Sequence, residues 1–73
     1  MKPVTDLSTI LRMDLKDVWT NAMRAMDAFM DFNRRDLRTG PLSREDRIRM
    51  YHMREVAKRS LDVYFDKIEE ELW

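Results

Sequence analysis

The sequence predicts an all-α protein organised as an antiparallel two-helix hairpin. Three observations carry this expectation. The only Gly in 73 residues stands next to one of only two Pro, at Gly40-Pro41. Long runs with helical spacing of apolar residues flank that pair on both sides. Ser43 then opens an S-x-x-D pattern with Asp46, which is the signature of a helix start. The chain is expected to be a single helical domain over residues 1–73, with a helix over about 7–37, a turn over 38–43 and a helix over about 44–72.

The turn has a mechanism at each position. Gly40 can take positive φ without a Cβ clash and so suits the residue that ends a helix. Pro41 has no N–H to continue that helix and pushes Gly40 away from helical geometry. The Ser43 hydroxyl can accept a backbone N–H of the next turn. Glu45 and Asp46 place negative charge at the positive end of the second helix dipole.

In the first helix, Thr5, Asp6 and Ser8 are candidate N-caps. The apolar stripe then reads Leu11, Leu15, Val18, Trp19, Ala22, Met26, Phe29, Met30, with Leu7, Met23 and Ala25 widening it. Asp14 and Asp17 form a second possible start, so the helix either runs unbroken from near Leu7 or divides near Asp14 into a short and a long piece. In the second helix the main stripe is Met50, Met53, Ala57, Leu61, Tyr64, Phe65, Ile68, Leu72. Val56 and Val63 form a narrower line beside it, which suggests more than one neighbour. Ile48, Tyr51 and Trp73 fall off the main face. In an antiparallel hairpin Leu11 and Leu72 would meet at the open end.

Two such helices alone enclose no interior, and Trp19, Phe29, Tyr64 and Phe65 would stay wet. A chain this short seldom stabilises itself without a staple or partner. With no Cys, a disulfide framework and thiolate chemistry are excluded. Self-association into a homodimeric four-helix bundle is the expected remedy. The competing arrangement is a three-helix monomer, with the first helix broken near Asp14.

Composition narrows function further. Formal net charge is zero, so no bulk attraction to nucleic acid or anionic membrane is expected. No apolar run approaches the ~20 residues needed to span a bilayer, and the first residues lack the apolar core of a signal peptide. The expectation is a cytoplasmic protein with no membrane partner. Charge is nevertheless uneven along the chain. Residues 31–61 hold nine positive and five negative groups, and residues 62–73 hold Lys67 against Asp62, Asp66, Glu69, Glu70 and Glu71. Arg34, Arg35, Arg38, Arg44, Arg47 and Arg49 gather around the turn. Such a tip can grip phosphate or an acidic protein surface. Asp31, Asp36, Glu45 and Asp46 within it offset much of its field, which fits a solvated helix-turn region as well.

Candidate chemistry is sparse. Arg47 and His52 spell R-x4-H, a spacing similar to the ribonuclease motif of HEPN domains, but a five-residue separation turns them about 140° apart on a helix. No metal-ligand spacing surrounds the lone His, and no cofactor is expected. The Met residues fit core filling better than an adaptable binding surface. Trp73 offers a terminal aromatic anchor for a partner.

The tail Tyr64-Phe65-Asp66-Lys67-Ile68, with Trp73 following, is similar to the closing segment of the Hha/YmoA nucleoid regulators. Leu42-Ser43 followed by Met50-Tyr51 is similar to their middle. The alignment needs a gap, the loop before the tail is longer here, and the family's Ala-Ala-Asp-His stretch is missing. This resemblance implies binding to a DNA-associated partner protein rather than reading of DNA sequence. In architecture alone the chain resembles the Rop type of RNA-binding hairpin dimer, without shared motifs, and fold does not fix function. The reading of the residues is a non-enzymatic interaction protein that binds a larger protein complex as regulator, adaptor or inhibitor. Its charge contacts would be Arg34, Arg35, Arg38, Arg44, Arg47 and Arg49, and its apolar contacts Tyr51 and Trp73. The alternative is a nucleic-acid-binding hairpin dimer using the same Arg-rich turn.

Overall fold

A computed structural model describes residues 2–72. It contains three helices, α1 (Leu7–Arg12), α2 (Leu15–Thr39) and α3 (Arg44–Leu72), and no strand among the described residues. α2 and α3 pack as an antiparallel hairpin, and α1 lies across α3 at the open end. The result is a rod measuring 47 × 19 × 18 Å.

The first helical run is divided at Asp14. Met13 and Asp14 are both extended, with ψ of 151° and 169°. The Asp14 carboxylate accepts the Asp17 N–H at 2.9 Å and its carbonyl accepts the Val18 N–H at 3.0 Å. Asp14 is therefore a working N-cap, and Asp17 adds charge favourable to the dipole of α2. α1 starts at Asp6, whose carboxylate accepts the hydroxyls of Ser8 at 2.9 Å and Thr9 at 2.8 Å. The bonds from Thr9 and Ser8 hold the Asp6 carboxyl below its ordinary range.

Two extended residues reset the helical phase, and this overturns the expected continuous stripe through Leu11. Ile10 turns inward at 1% exposure, while Leu11 is 54% exposed. Leu72 is also exposed, so the open end is closed by Ile10 and not by Leu11 against Leu72.

At the other end, Gly40 ends α2 with φ +94° and ψ −175°, a region open essentially to glycine alone. The Thr39 hydroxyl donates to the Arg35 carbonyl at 2.7 Å, and the Leu42 N–H donates to Asp36 Oδ1 at 3.1 Å. Ser43 Oγ then accepts the Asp46 N–H at 3.2 Å. These three local bonds tie the end of α2, the turn and the start of α3 together.

The core runs in two patches. Near the open end, Ile10, Val18 and Val63 pack together with Val4, Met13 and Tyr64 around them. Toward the middle, Ala25, Val56 and Ala57 pack with Met26. The line facing α2 is thus Val56, Ala57, Ser60 and Val63: the narrower line of the sequence reading, Val56 and Val63, joined by Ala57 of its main stripe and by Ser60. Of the rest of that stripe, Phe65 and Leu72 are exposed. Small residues at the seam explain the shift. Ala22, Ala25, Ala57 and Ser60 let the helices meet closely, and the large side chains then have room only beside the contact line.

A Cβ at Gly40 would meet no atom within 4 Å, so the penalty there is backbone strain alone. Gly40→Ala is expected to lower the unfolding free energy by about 1–2 kcal/mol. Urea titration reads this as a lower midpoint at unchanged slope. An unchanged midpoint would show that the turn reaches another conformation without strain.

Candidate interaction surface

Between the two core patches lies a polar junction. Asn21 is 3% exposed and Ser60 is fully buried. The Asn21 amide donates to Ser60 Oγ at 3.1 Å and to the Val4 carbonyl at 2.9 Å, and its Oδ1 accepts the Val4 N–H at 2.6 Å. The Val4 N–H fixes which way the amide points, because a flipped amide would set donor against donor. One side chain thereby joins α2, α3 and the extended leader. Asn21 stands outside the hydrophobic periodicity, and only its place between Val18 and Ala25 on the inward arc could have marked it.

A hairpin has two flanks, and the leader settles what happens to each. Lys2, Pro3 and Thr5 line one flank together with Ala28 and Phe32 of α2 and Arg49 and Met53 of α3. The leader runs along that flank, with Val4 pinned at its lower end, and a groove of about 530 Å³ remains beside it. On the opposite flank Met26, Phe29 and Met30 face Ala57 and Leu61, with Arg54 and Lys58 at the rim, around an apolar groove of about 300 Å³. The apolar surface continues toward the open end. Trp19 and Tyr64 rings stand 5.0 Å apart, and Tyr64 and Phe65 meet edge-on at 5.4 Å. Trp19, Met30 and Phe65 are 44%, 43% and 55% exposed. Contiguous apolar surface of this kind marks an interaction site more often than scattered single residues do.

The six arginines of the turn all lie at the closed end of the rod and all are exposed. Arg35 pairs loosely with Asp31 at 3.9 Å and lies over the Phe32 ring at 4.5 Å. Arg49 approaches Asp46 at 3.7 Å. Exposed pairs this long contribute little to stability. Arg34, Arg38, Arg44 and Arg47 take part in no ion pair among the described residues. Arg34 borders a shallow polar recess with Arg24, Asp27 and Asp31. The Asp36 carboxylate is occupied by the turn, and so its charge is fixed close to the Arg cluster.

Tyr51 is 57% exposed and stands near Ile48 in sequence, itself 60% exposed. Trp73 lies outside the described residues. His52 and Arg47 are both exposed on α3, and no described groove brings them together. Among the described residues no group of three His, Asp or Glu could hold a metal ion, and no helix is long and apolar enough to cross a membrane.

Comparison with protein-family models, with curated proteins and with solved structures finds no match. Nothing is therefore carried over from the short Hha/YmoA likeness, whose residues Tyr64 and Phe65 stand on the open flank.

Removing the Asn21 amide leaves buried Ser60 and the Val4 backbone without their partner. Asn21→Ala is expected to cost about 1–3 kcal/mol. The diagnostic readout is hydrogen exchange at the Val4 amide, which should lose its protection while amides in the middle of α3 keep theirs. Retained protection at Val4 would show that the leader is held by packing alone.

Proposed function

We propose that this is a small non-enzymatic helical interaction protein, acting in the cytoplasm as a homodimeric four-helix bundle. It regulates, bridges or inhibits a larger protein complex by occupying a surface. The observation that carries the reading is the apolar flank from Trp19 to Met30, left open on a rod whose own seam is made of small side chains. Such a seam buries little apolar area per residue, and hydrophobic stabilisation scales with that area. The exposed flank supplies what the monomer lacks.

The partner complex would be met at the closed end. Arg34, Arg35, Arg38, Arg44, Arg47 and Arg49 supply charge contacts there, with Tyr51 as an apolar neighbour; Trp73, next in sequence to Leu72 of the open end, would be a separate apolar contact. Arg guanidinium groups suit such contacts because their planar fork matches carboxylates in pairs. A second reading, direct nucleic-acid binding through the same arginines, is favoured by the four that stand outside ion pairs.

The two readings separate by salt and by nuclease. Protein recognition predicts that tagged protein retains its partner complex after nuclease digestion, and that Arg38→Ala with Arg44→Ala releases it. Loss of the complex on nuclease treatment alone would sink that reading. Nucleic-acid binding predicts a gel shift that weakens steeply with salt and disappears in Arg34→Ala with Arg35→Ala. No shift at low salt would exclude it.

A further inference from the structure

We infer that the open flank is covered by a second copy of this chain running antiparallel, so that the Arg-rich end of each rod lies against the acidic end of the other. The inference rests on the dimer reading above and adds to it a face, a direction and a set of cross-subunit ion pairs.

The occupant follows from charge and from shape. Residues 31–49 at the tip carry six Arg against four carboxylates, net +2, and residues 62–73 carry net −4; the fold places these two stretches at opposite ends of the rod. Asp62, Asp66, Glu69, Glu70 and Glu71 take part in no ion pair among the described residues. The last turn of α3 contains no basic residue, so Glu69, Glu70 and Glu71 face an unfavourable helix dipole without relief from their own helix. A parallel dimer would set two acidic ends side by side. An antiparallel dimer supplies each with the other copy's arginines.

The levels agree. Measured from the Asn21–Ser60 junction at 1.5 Å per residue, Glu70 lies about 15 Å toward the open end, while Arg34 and Arg47 lie about 20 Å toward the tip. A two-fold axis crossing the open flank close to that junction therefore brings Glu70 of one copy level with Arg34 and Arg47 of the other. Arg47 precedes Arg54 by seven residues and so belongs to the α3 stripe at the groove rim. Arg34 stands at the same level but borders the recess it shares with Lys2 and Pro3 of the leader, so Arg47 is the contact at the seam. The apolar stretch from Met30 to Leu72 runs about 14 Å toward the tip and about 18 Å toward the open end, so its midpoint lies about 5 Å from that of the ionic pairs, within one helical turn.

The chain has no Cys, so single labels can be placed cleanly. Light scattering at tens of micromolar is expected to give twice 8.9 kDa. A monomer would overturn both this inference and the dimer reading. With a nitroxide at Glu70→Cys, the antiparallel arrangement predicts a label separation of about 30–40 Å. A separation within about 20 Å, the width of two packed hairpins, would overturn the direction while leaving the dimer intact. Met30→Glu with Phe65→Glu is expected to weaken dimerisation at least tenfold while circular dichroism stays helical, because both side chains are solvent-accessible in the monomer. An unaffected dimer would remove the open flank as its seam. Raising salt from 0.05 to 0.5 M is expected to weaken the dimer through screening of the end-to-end pairs; a dimer equally tight at both would overturn the charge argument.

Discussion

The buried amide of Asn21 is the constraint on which the arrangement depends. It satisfies both backbone groups of Val4 and reaches Ser60 across the seam. A polar group buried without partners costs more than a made hydrogen bond contributes, so this junction tolerates few alternatives. Sliding α3 along α2 by one turn would break the Asn21–Ser60 bond and would bring Arg or Lys side chains toward the core line. The junction thus fixes register between α2 and α3 and anchors the leader at the same point. Among the described residues no buried side-chain polar atom is left without a partner.

From that register the distribution of large side chains follows. Small residues flank the junction on both helices, and close approach there pushes Trp19, Met26, Met30, Leu61 and Phe65 to one side. The leader takes the other side, where Ala28 leaves room for it beside Phe32 and Met53. The hairpin is asymmetric across its own plane: one flank carries the leader, and the other carries none of it and exposes Trp19, Met30 and Phe65. This asymmetry separates the fold from a pair of helices that are merely amphipathic.

The parts of the fold that were legible in the sequence are those set by local chemistry. Gly40, Pro41 and Ser43 announce their turn because few residues can adopt or cap those geometries. Asp14 with Asp17 signals the second start for the same reason. The parts that were not legible depend on distance in sequence. Asn21 reads as a polar interruption until Val4 and Ser60 are brought to it. Val56 and Val63 look secondary beside the aromatic stripe because hydrophobicity ranks residues by size, whereas the seam selects them by fit. Ile10 escaped notice because its phase is reset by Met13 and Asp14. Of the surface, the Arg cluster was visible as composition, but the open flank became visible only once the true core line was known.

The ionic layout also bears on what the tip can do. If Glu69–Glu71 of one copy meet Arg47 of the other, that arginine is committed to assembly. Arg34, Arg35, Arg38, Arg44 and Arg49 then remain at each end of the dimer, with Arg34 beside Asp27 and Asp31 and Arg35 and Arg49 sharing charge with Asp31 and Asp46. The free field at each end falls to little more than Arg38 and Arg44. That is weak for a phosphate backbone, whose recognition relies on many simultaneous neutralisations. It is sufficient for a short acidic segment on a protein surface, where two guanidinium groups can each clasp a carboxylate. The proposed assembly through the open flank would therefore shift the balance at the tip toward protein recognition, and it would present that tip twice, at opposite ends of one rod.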